Sequence, residues 1–324
     1  MPETVTGLSR TDFVAAIARN RRNTAILCIV LVLIGVAVGA GIGWAFGILA
    51  DAERTGEGAA GYAVFAGGFM LVFSLVWTAI ALFLGDKVVL GLTGARVIAK
   101  HEAPVLWNVV EEMALAAGLK MPRVAIMETE ALNAFATGLK PEKATVAVTR
   151  GLLNALNRDE LQGVVAHEMS HIANDDVLYM TAVGVLVGLI VLVSDLALRS
   201  TRFIGHGRGG SRKGGGLLIV AAVVVLLLIG LLSPIAARFV QMAVSRQREY
   251  LADATSVKLT RNPLGLIGAL EKLDQAPVRF ENASKAVQHL FIVNPFRKFG
   301  ETASALMATH PSTGQRIERL RALG

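Results

Sequence analysis

The sequence predicts an α-helical integral membrane protein of about four spans, with an α+β domain outside the bilayer. Hydrophobic residues make up 53% of the 324 residues, which is more than soluble domains usually contain. They concentrate in long runs without a charged side chain, and a bilayer span needs about 20 such residues. We therefore expect spans at 25–50, 61–85, 177–198 and 217–237, of which the third is marginal because Asp195 interrupts it.

The distribution of basic residues predicts the orientation of these spans. The run at 25–50 is too long for the hydrophobic region of a cleaved signal peptide, which has about 7–15 residues. Segment 1–24 before it carries four arginines, whereas the connection to the second run carries only Arg54. Because lysine and arginine are enriched in cytoplasmic segments, we expect 1–24 and the chain that follows residue 85 to begin in the cytosol.

The chain after the second span is expected to form one cytosolic domain from two halves, 86–176 and 238–324. The glycine-rich basic segment 199–216 between them is typical of a flexible linker. Two membrane crossings by residues 177–237 would put this basic linker outside the cytosol, against the enrichment of lysine and arginine in cytoplasmic segments. We still expect two crossings, because 217–237 is long enough to span the bilayer.

Charge and cysteine content narrow the possible partners. The net charge of +7 is spread over membrane-flanking segments, and no nucleic-acid motif accompanies it. We therefore expect the lipid bilayer as a partner and no nucleic acid. The single cysteine, Cys28, excludes an intrachain disulfide.

Glycine recurs every four residues in the first span, at Gly35, Gly39, Gly43 and Gly47. This spacing lines one helix face with glycine and predicts close packing against another helix. The sequence leaves open whether that helix belongs to the same chain or to a second copy.

Several local elements are predicted in the first half of the domain. Residues 106–119 have the apolar spacing of a helix, and 123–129 and 144–153 resemble short strands. Gly138 and Pro141 mark a turn between those strands. A further helix is expected to begin at Asn157, because Glu160 three residues later completes a capping-box pattern.

The sequence "HEMSH" within that helix has the spacing of a metal site. His167 and His171 are four residues apart, so both rings project from one helix face, and Glu168 beside them is placed to act on the attacking water. A third ligand is required. Residues 172–180 contain neither the glycine nor the histidine of a metzincin.

A later segment, "SRQREYLADA" at 245–254, offers the third ligand. Glu249 would complete a His₂Glu site for one Zn²⁺ per chain, the gluzincin type. Asp253, four residues on, shares a helix face with Glu249 and could accept a hydrogen bond from a ligand histidine.

With these motifs, the chain resembles the HtpX-type membrane-bound zinc endopeptidases, relatives of the CAAX prenyl proteases. The resemblance covers essentially the whole sequence and includes "HEMSH", "REYLADA" and "THPSTGQRIERL". It implies a zincin-like metalloprotease domain in the bacterial cytoplasmic membrane, with its site facing the cytosol. The implied ligands are His167, His171 and Glu249, and Glu168 is the implied general base. The implied substrates are misfolded or damaged membrane proteins.

Further site residues are also implied by resemblance. "NAFATG" is similar to the edge strand of thermolysin-like enzymes, where Asn133, Ala134 and Phe135 would pair with an extended peptide. His310 and Arg316 match a late motif that lies near the zinc in relatives, where they could stabilise the oxyanion.

Two alternative functions remain open at this point. A CAAX-type prenyl protease would share the zinc site, but the relatives with that activity have more spans than this chain can build. A catalytically silent membrane scaffold would be signalled by an altered glutamate, whereas Glu168 is present. Homo-oligomerisation also stays open.

Overall fold

The computed structural model describes residues 10–50, 57–186, 246–276, 290–292 and 311–323. The predicted linker 199–216, the predicted fourth span 217–237 and most of the third lie outside these residues. The described chain divides into two compact units. Residues 25–82 belong to the first, and residues 83–185, with the later described segments, belong to the second.

The first unit contains most of two long helices, α1 (Arg10–Ala50) and α2 (Glu57–Thr93), whose residues 10–24 and 83–93 belong to the second unit. Each contains a stretch that is long and apolar enough to cross a membrane, and only 17% and 11% of these stretches are buried within the protein. The predicted spans 25–50 and 61–85 are thus confirmed as helical. However, α2 continues beyond residue 85 and ends where Gly94 adopts a left-handed conformation (φ 67°).

The glycine-lined face of α1 packs against α2, so the structure identifies the partner helix. A methyl group added at Gly39 would lie 2.7 Å from the Ala66 carbonyl oxygen, and one at Gly47 would lie 2.5 Å from the Ala59 Cα. Gly35 and Gly43 face Ser74 and Tyr62 in the same way. Only glycine permits this approach of the two backbones, and the packing prediction is confirmed.

The second unit contains a four-stranded sheet of β1 (Arg96–Val97), β2 (Arg123–Met127), β3 (Ala134–Thr137) and β4 (Thr145–Thr149), in the order β1-β2-β4-β3. β2 and β4 are parallel, and the other two pairs are antiparallel. β3 therefore lies at one edge of the sheet. It falls in the stretch where turn residues predicted a connection and the family resemblance implied an edge strand.

The strand predicted at 144–153 ends earlier than expected. β4 stops at Thr149, and α4 (Arg150–Ala155) begins directly after it. The Thr149 hydroxyl accepts a hydrogen bond from the Leu152 backbone N–H at 3.2 Å, so Thr149 acts as a helix N-cap. The prediction was therefore wrong for residues 150–153.

Helices surround the catalytic-motif helix α5 (Arg158–Ala173). It packs against α3 (Pro104–Ala117), α7 (Arg246–Thr260) and α8 (Pro263–Gln275). The apolar helix α6 (Asp176–Leu186) follows α5, and α9 (Thr313–Arg321) packs on α7 and α8. The Glu160 backbone N–H donates to the Asn157 side-chain oxygen at 2.9 Å, and the Asn157 backbone N–H donates to the Glu160 carboxylate at 2.8 Å, which confirms the capping box.

Two glycines allow α5 and α8 to meet closely. A methyl group on Gly163 would lie 2.6 Å from the Leu266 backbone nitrogen, and one on Gly265 would lie 2.5 Å from the Asp159 carbonyl oxygen. In both cases the obstacle is backbone, which cannot rotate away. The contact lies one helical turn before His167, so it fixes the helix that carries the candidate ligands.

We expect Gly163→Ala to lower the free energy of unfolding by about 1–3 kcal/mol, the usual cost of overpacking a core. Thermal unfolding of the detergent-solubilised chain measures this effect. Gly314→Ala is the matched control, since a methyl group there meets no atom within 4 Å. Equal midpoints for the two variants would contradict the proposed contact.

Candidate metal centre

α5 and α7 bring three candidate ligands together. His167, His171 and Glu249 each offer an atom within 4.8 Å of the others. The His167 Nε2 lies 3.7 Å from Glu249 Oε2, and the His171 Nε2 lies 3.7 Å from Glu249 Oε1. A tetrahedral ion with bonds of about 2.1 Å holds its ligand atoms about 3.4 Å apart. The observed separations therefore fit a single small cation after a slight contraction.

The two helices are fixed against each other next to these ligands. The Ser256 hydroxyl of α7 donates a hydrogen bond of 2.8 Å to the Gly163 carbonyl of α5. Gly163 lies one turn before His167, and Ser256 lies two turns after Glu249. This buried hydrogen bond helps to set the spacing between the histidines and the glutamate.

The ring nitrogens that face away from Glu249 contact carboxylates. His167 Nδ1 lies 3.0 Å from Asp253 Oδ1, and His171 Nδ1 lies 3.0 Å from Asp176 Oδ2. Arg316 Nη2 is also 3.3 Å from His167 Nδ1. A guanidinium only donates hydrogen bonds, so it cannot accept one from an Nδ1 proton, whereas a carboxylate can. We therefore assign the Nδ1 proton of His167 to the shorter contact with Asp253. Each Nε2 then presents a lone pair toward the candidate metal position.

The charge balance of the site also fits a cation. Glu168, Glu249, Asp176 and Asp253 are all at most 3% exposed. Arg316 lies against Asp253 and Glu249, and Arg248 Nε lies 3.3 Å from Asp176 Oδ1. Buried carboxylates are stable as ions only when positive charge faces them. Four such groups with two arginines leave room for a divalent ion.

The two histidines differ in their tendency to carry a proton. Burial, together with the positive charge of Arg316, lowers the pKa of His167. Burial would also lower the pKa of His171, but the hydrogen bond to Asp176 and the charge of Glu249 raise it to about 9. The negative surroundings of His171 thus favour a positive charge at this position.

The carboxyl group of Glu168, the candidate general base, has a raised pKa. Burial raises the pKa of its carboxyl group to about 7, and the group also accepts a hydrogen bond from the Ala136 backbone N–H. Proton transfer is most efficient when the pKa of the base lies near the working pH. The carboxylate is also tied directly to the edge strand β3.

The outer edge of β3 has partners within the chain. The Asn133 carbonyl accepts a hydrogen bond from Thr149 of β4, whereas the Ala134 carbonyl accepts one of 3.0 Å from the Ile292 backbone N–H. The Phe135 ring packs against Phe291, with centroids 5.4 Å apart. In an antiparallel pair, the backbone groups of successive residues alternately face the partner strand and face away from it. Of Asn133, Ala134 and Phe135, only Ala134 therefore has backbone groups that face away from β4.

Arg316 is held by protein groups on several sides. Its Nε and Nη2 donate to the two oxygens of Asp253 at 2.9 and 2.6 Å, and its Nη1 donates to the Ile292 carbonyl at 3.2 Å. The side chain is 2% exposed. The structure thus brings Arg316 to the candidate site, while His310 lies outside the described residues.

Sequence reasoning did not identify Asp176 or Arg248 as parts of this site. Asp176 follows His171 by five residues, beyond the end of α5, where helical spacing no longer predicts which side chains meet. Arg248 directly precedes Glu249, and its neighbours cannot be deduced without the fold. A carboxylate shortly after a ligand histidine would have been the available signal.

Comparison with known proteins gives consistent matches. The model of Peptidase family M48 matches residues 100–323. A Protease HtpX homolog of Streptococcus agalactiae serotype III is 42% identical over 305 residues, covering 94% of this chain and 98% of that protein. Another, of Thermococcus sibiricus, is 45% identical over 260 residues, or 78% and 85% of the two chains. The crystal structure of S. mikatae Ste24p aligns with a TM-score of 0.44 and 18% identity, covering 80% of this chain and 58% of that one.

Loss of a group that hydrogen-bonds to a metal ligand weakens metal binding roughly 10–100-fold. Glu249→Ala removes a candidate ligand itself, and we therefore expect it to weaken zinc binding by more than this. Competition with a chelating dye on the purified protein measures the affinity. Glu271→Ala is the control, because that carboxylate is exposed and paired with Arg321. Unchanged affinity in the Glu249 variant would exclude this residue as a ligand.

Proposed function

We propose that this chain, which belongs to peptidase family M48 and is a membrane-bound metalloprotease, is a zinc endopeptidase of the gluzincin type. Its proposed substrates are misfolded or damaged membrane proteins, which it would cut on the cytosolic side of a bacterial inner membrane. The observation that carries this proposal is the buried cluster of His167, His171 and Glu249 with Glu168 beside it. Quality control of membrane proteins is the corresponding cellular role.

Zinc is the metal that this donor set favours. Two imidazole nitrogens and one carboxylate are the ligands of many catalytic zinc sites, which keep a further position open. His167, His171 and Glu249 would hold the zinc ion, which would supply Lewis-acid polarisation of the scissile carbonyl. The remaining steps belong to the residues of the chain.

Glu168 is the proposed general base and acid. Its carboxylate takes the proton from the attacking water and later gives this proton to the leaving amine. The hydrogen bond from the Ala136 N–H orients the carboxylate. Because Ala136 belongs to β3, the strand proposed to hold the substrate also positions the base.

An extended peptide is proposed to pair with β3 at Asn133, Ala134 and Phe135. Backbone pairing tolerates many side chains, which suits unfolded segments of varied sequence. The outward-facing group is the Ala134 carbonyl, which accepts a hydrogen bond from Ile292. An incoming strand that uses this carbonyl has to replace the contact with Ile292.

Arg316 and His310 are proposed to have different roles. The three bonded guanidinium nitrogens of Arg316 contact Asp253 and Ile292, so its contacts favour positioning of Asp253, and through it His167, over direct oxyanion stabilisation. His310 remains the proposed residue for oxyanion stabilisation, on the family motif alone.

The proposed arrangement in the membrane has four spans, at 25–50, 61–85, 177–198 and 217–237. Segment 1–24 and the two halves of a zincin-like domain, 86–176 and 238–324, would lie in the cytosol, and the linker 199–216 would lie outside. α1 and α2 support the first two spans, since most of their apolar surface is not covered by protein. The metal site would then be tethered near the membrane surface, where its substrates also arrive.

We expect Glu168→Gln to abolish cleavage of an unfolded test protein while zinc remains bound. General acid–base catalysis contributes about 10²–10⁴-fold to such reactions, so the residual rate should fall by at least that range. Glu112→Gln on α3 is the matched control, because Glu112 is exposed and paired with Arg158. Equal cleavage by the Glu168 variant and the native chain would indicate a contaminating protease and support the silent-scaffold alternative.

We expect a cysteine at Ser211, in the linker, to react with a membrane-impermeant maleimide on intact cells. A cysteine at Lys120, an exposed residue of the second unit, should react only after permeabilisation. Replacing Cys28 with serine removes the single native cysteine and makes the labelling unambiguous. Labelling of Ser211→Cys only in permeabilised cells would contradict two crossings by residues 177–237.

A further inference from the structure

Each of the two histidines of the candidate metal centre contacts an aspartate that is itself paired with an arginine. For His167 these are Asp253 and Arg316, which follow it along the chain. For His171 they are Asp176 and Arg248: Asp176 Oδ2 lies 3.0 Å from His171 Nδ1, and Asp176 Oδ1 lies 3.3 Å from Arg248 Nε. Each carboxylate oxygen of Asp176 therefore contacts a different residue.

Several features hold the Asp176 carboxylate in place. The side chain is 4% exposed and begins helix α6, where the partial positive charge of the helix N-terminus favours an anion. Arg248, whose own side chain is 11% exposed, also lies over the Tyr179 ring at 5.6 Å from its centroid. Arg248 thus contacts α6 at two positions one turn apart.

A sharp turn brings Asp176 back to His171. α5 ends at Ala173, and Asp175 adopts a positive φ of 54° before α6 begins. Asp175 makes a separate contact, with Arg21 at 2.9 Å. The two adjacent aspartates are both buried, but only Asp176 reaches the metal ligand.

Asp176 and Arg248 also lie at the two ends of the long segment 187–245, which separates α6 from α7. Asp176 belongs to the last described helix before this segment, and Arg248 belongs to the first one after it. The contact between them therefore links the helix before this segment to the helix after it, and it does so beside His171.

We propose that Asp176 is a positioning residue that fixes His171 for metal binding, and that Arg248 holds Asp176 in place. The proposal rests on the zinc site proposed above. A neutral imidazole can carry its proton on either nitrogen, and a carboxylate at Nδ1 selects the form in which Nε2 is free to bind metal. Without Asp176, His171 loses both this selection and its fixed ring orientation.

The test compares zinc affinities of the full-length chain in detergent, by competition with a chelating dye. Asp176→Asn keeps the shape of the side chain and removes its charge, and we expect zinc binding to weaken about 10–100-fold. Asp175→Asn makes the same change one residue away, tolerates the positive φ, and should bind zinc as the native chain does. Circular dichroism and thermal unfolding before zinc addition check that each variant is folded.

Two further variants separate positioning from a general loss of structure. Asp176→Glu restores the carboxylate and should bind zinc more tightly than Asp176→Asn. Arg248→Gln should weaken binding alone, but should add little to Asp176→Asn, because the two residues act through one contact. Arg246→Gln, an exposed position on the same helix, is its control.

The outcomes distinguish this proposal from the proposed function. Native zinc affinity in Asp176→Asn, in an enzyme whose native form binds zinc and cleaves protein, would overturn the positioning role alone. An equal loss in Asp175→Asn, or no recovery in Asp176→Glu, would overturn it as well, since local charge or structure would then explain the effect. Absence of zinc binding by the native chain would overturn both proposals.

Discussion

The burial of helix α5 is the constraint on which the rest of the second unit depends. A helix covered on every side cannot leave polar groups to water, and each buried ionic group needs a partner. His167, Glu168 and His171 are each at most 4% exposed. The surrounding helices α7 and α9 and the edge strand β3 therefore supply the partners that α5 requires. The same partners place two imidazole nitrogens and a carboxylate where a small cation fits.

This arrangement needs parts of the chain that are distant in sequence. Glu249 and Asp253 of α7 and Arg316 of α9 all come from beyond the long segment 187–245. Their contacts are short and buried: Asp253 Oδ1 lies 3.0 Å from His167 Nδ1 of α5, and Arg316 donates a 2.6 Å hydrogen bond to Asp253. Breaking one member of such a network leaves a buried charge without compensation, which usually costs about 3–5 kcal/mol. The metal centre and the folding of this unit are thus supported by the same interactions.

Sequence reasoning succeeded where a feature depends on local spacing. The capping box at Asn157 and the glycine face of α1 follow from intervals of three or four residues, and the structure contains both. Sequence reasoning failed where the structure depends on tertiary contacts, or where a helix cap competes with the continuation of a strand. The predicted strand was continued through residues 150–153, yet the Thr149 side chain caps a helix that begins there. Asp176 could not be connected to His171, because a turn with a positive φ interrupts the helical spacing between them.

The contacts of Arg316 show why residue type alone does not define a role in this site. An arginine near a metal centre suggests stabilisation of negative charge that develops in the reaction. Here the guanidinium lies between two protein features: it donates to the Asp253 carboxylate and to the Ile292 carbonyl. Ile292 in turn donates to Ala134 on the outer edge of β3, and Asp253 lies against His167. One hydrogen-bonded path therefore joins the outer edge of β3 to the candidate metal ligand His167, and a strand that displaced Ile292 would act on the same path that holds His167.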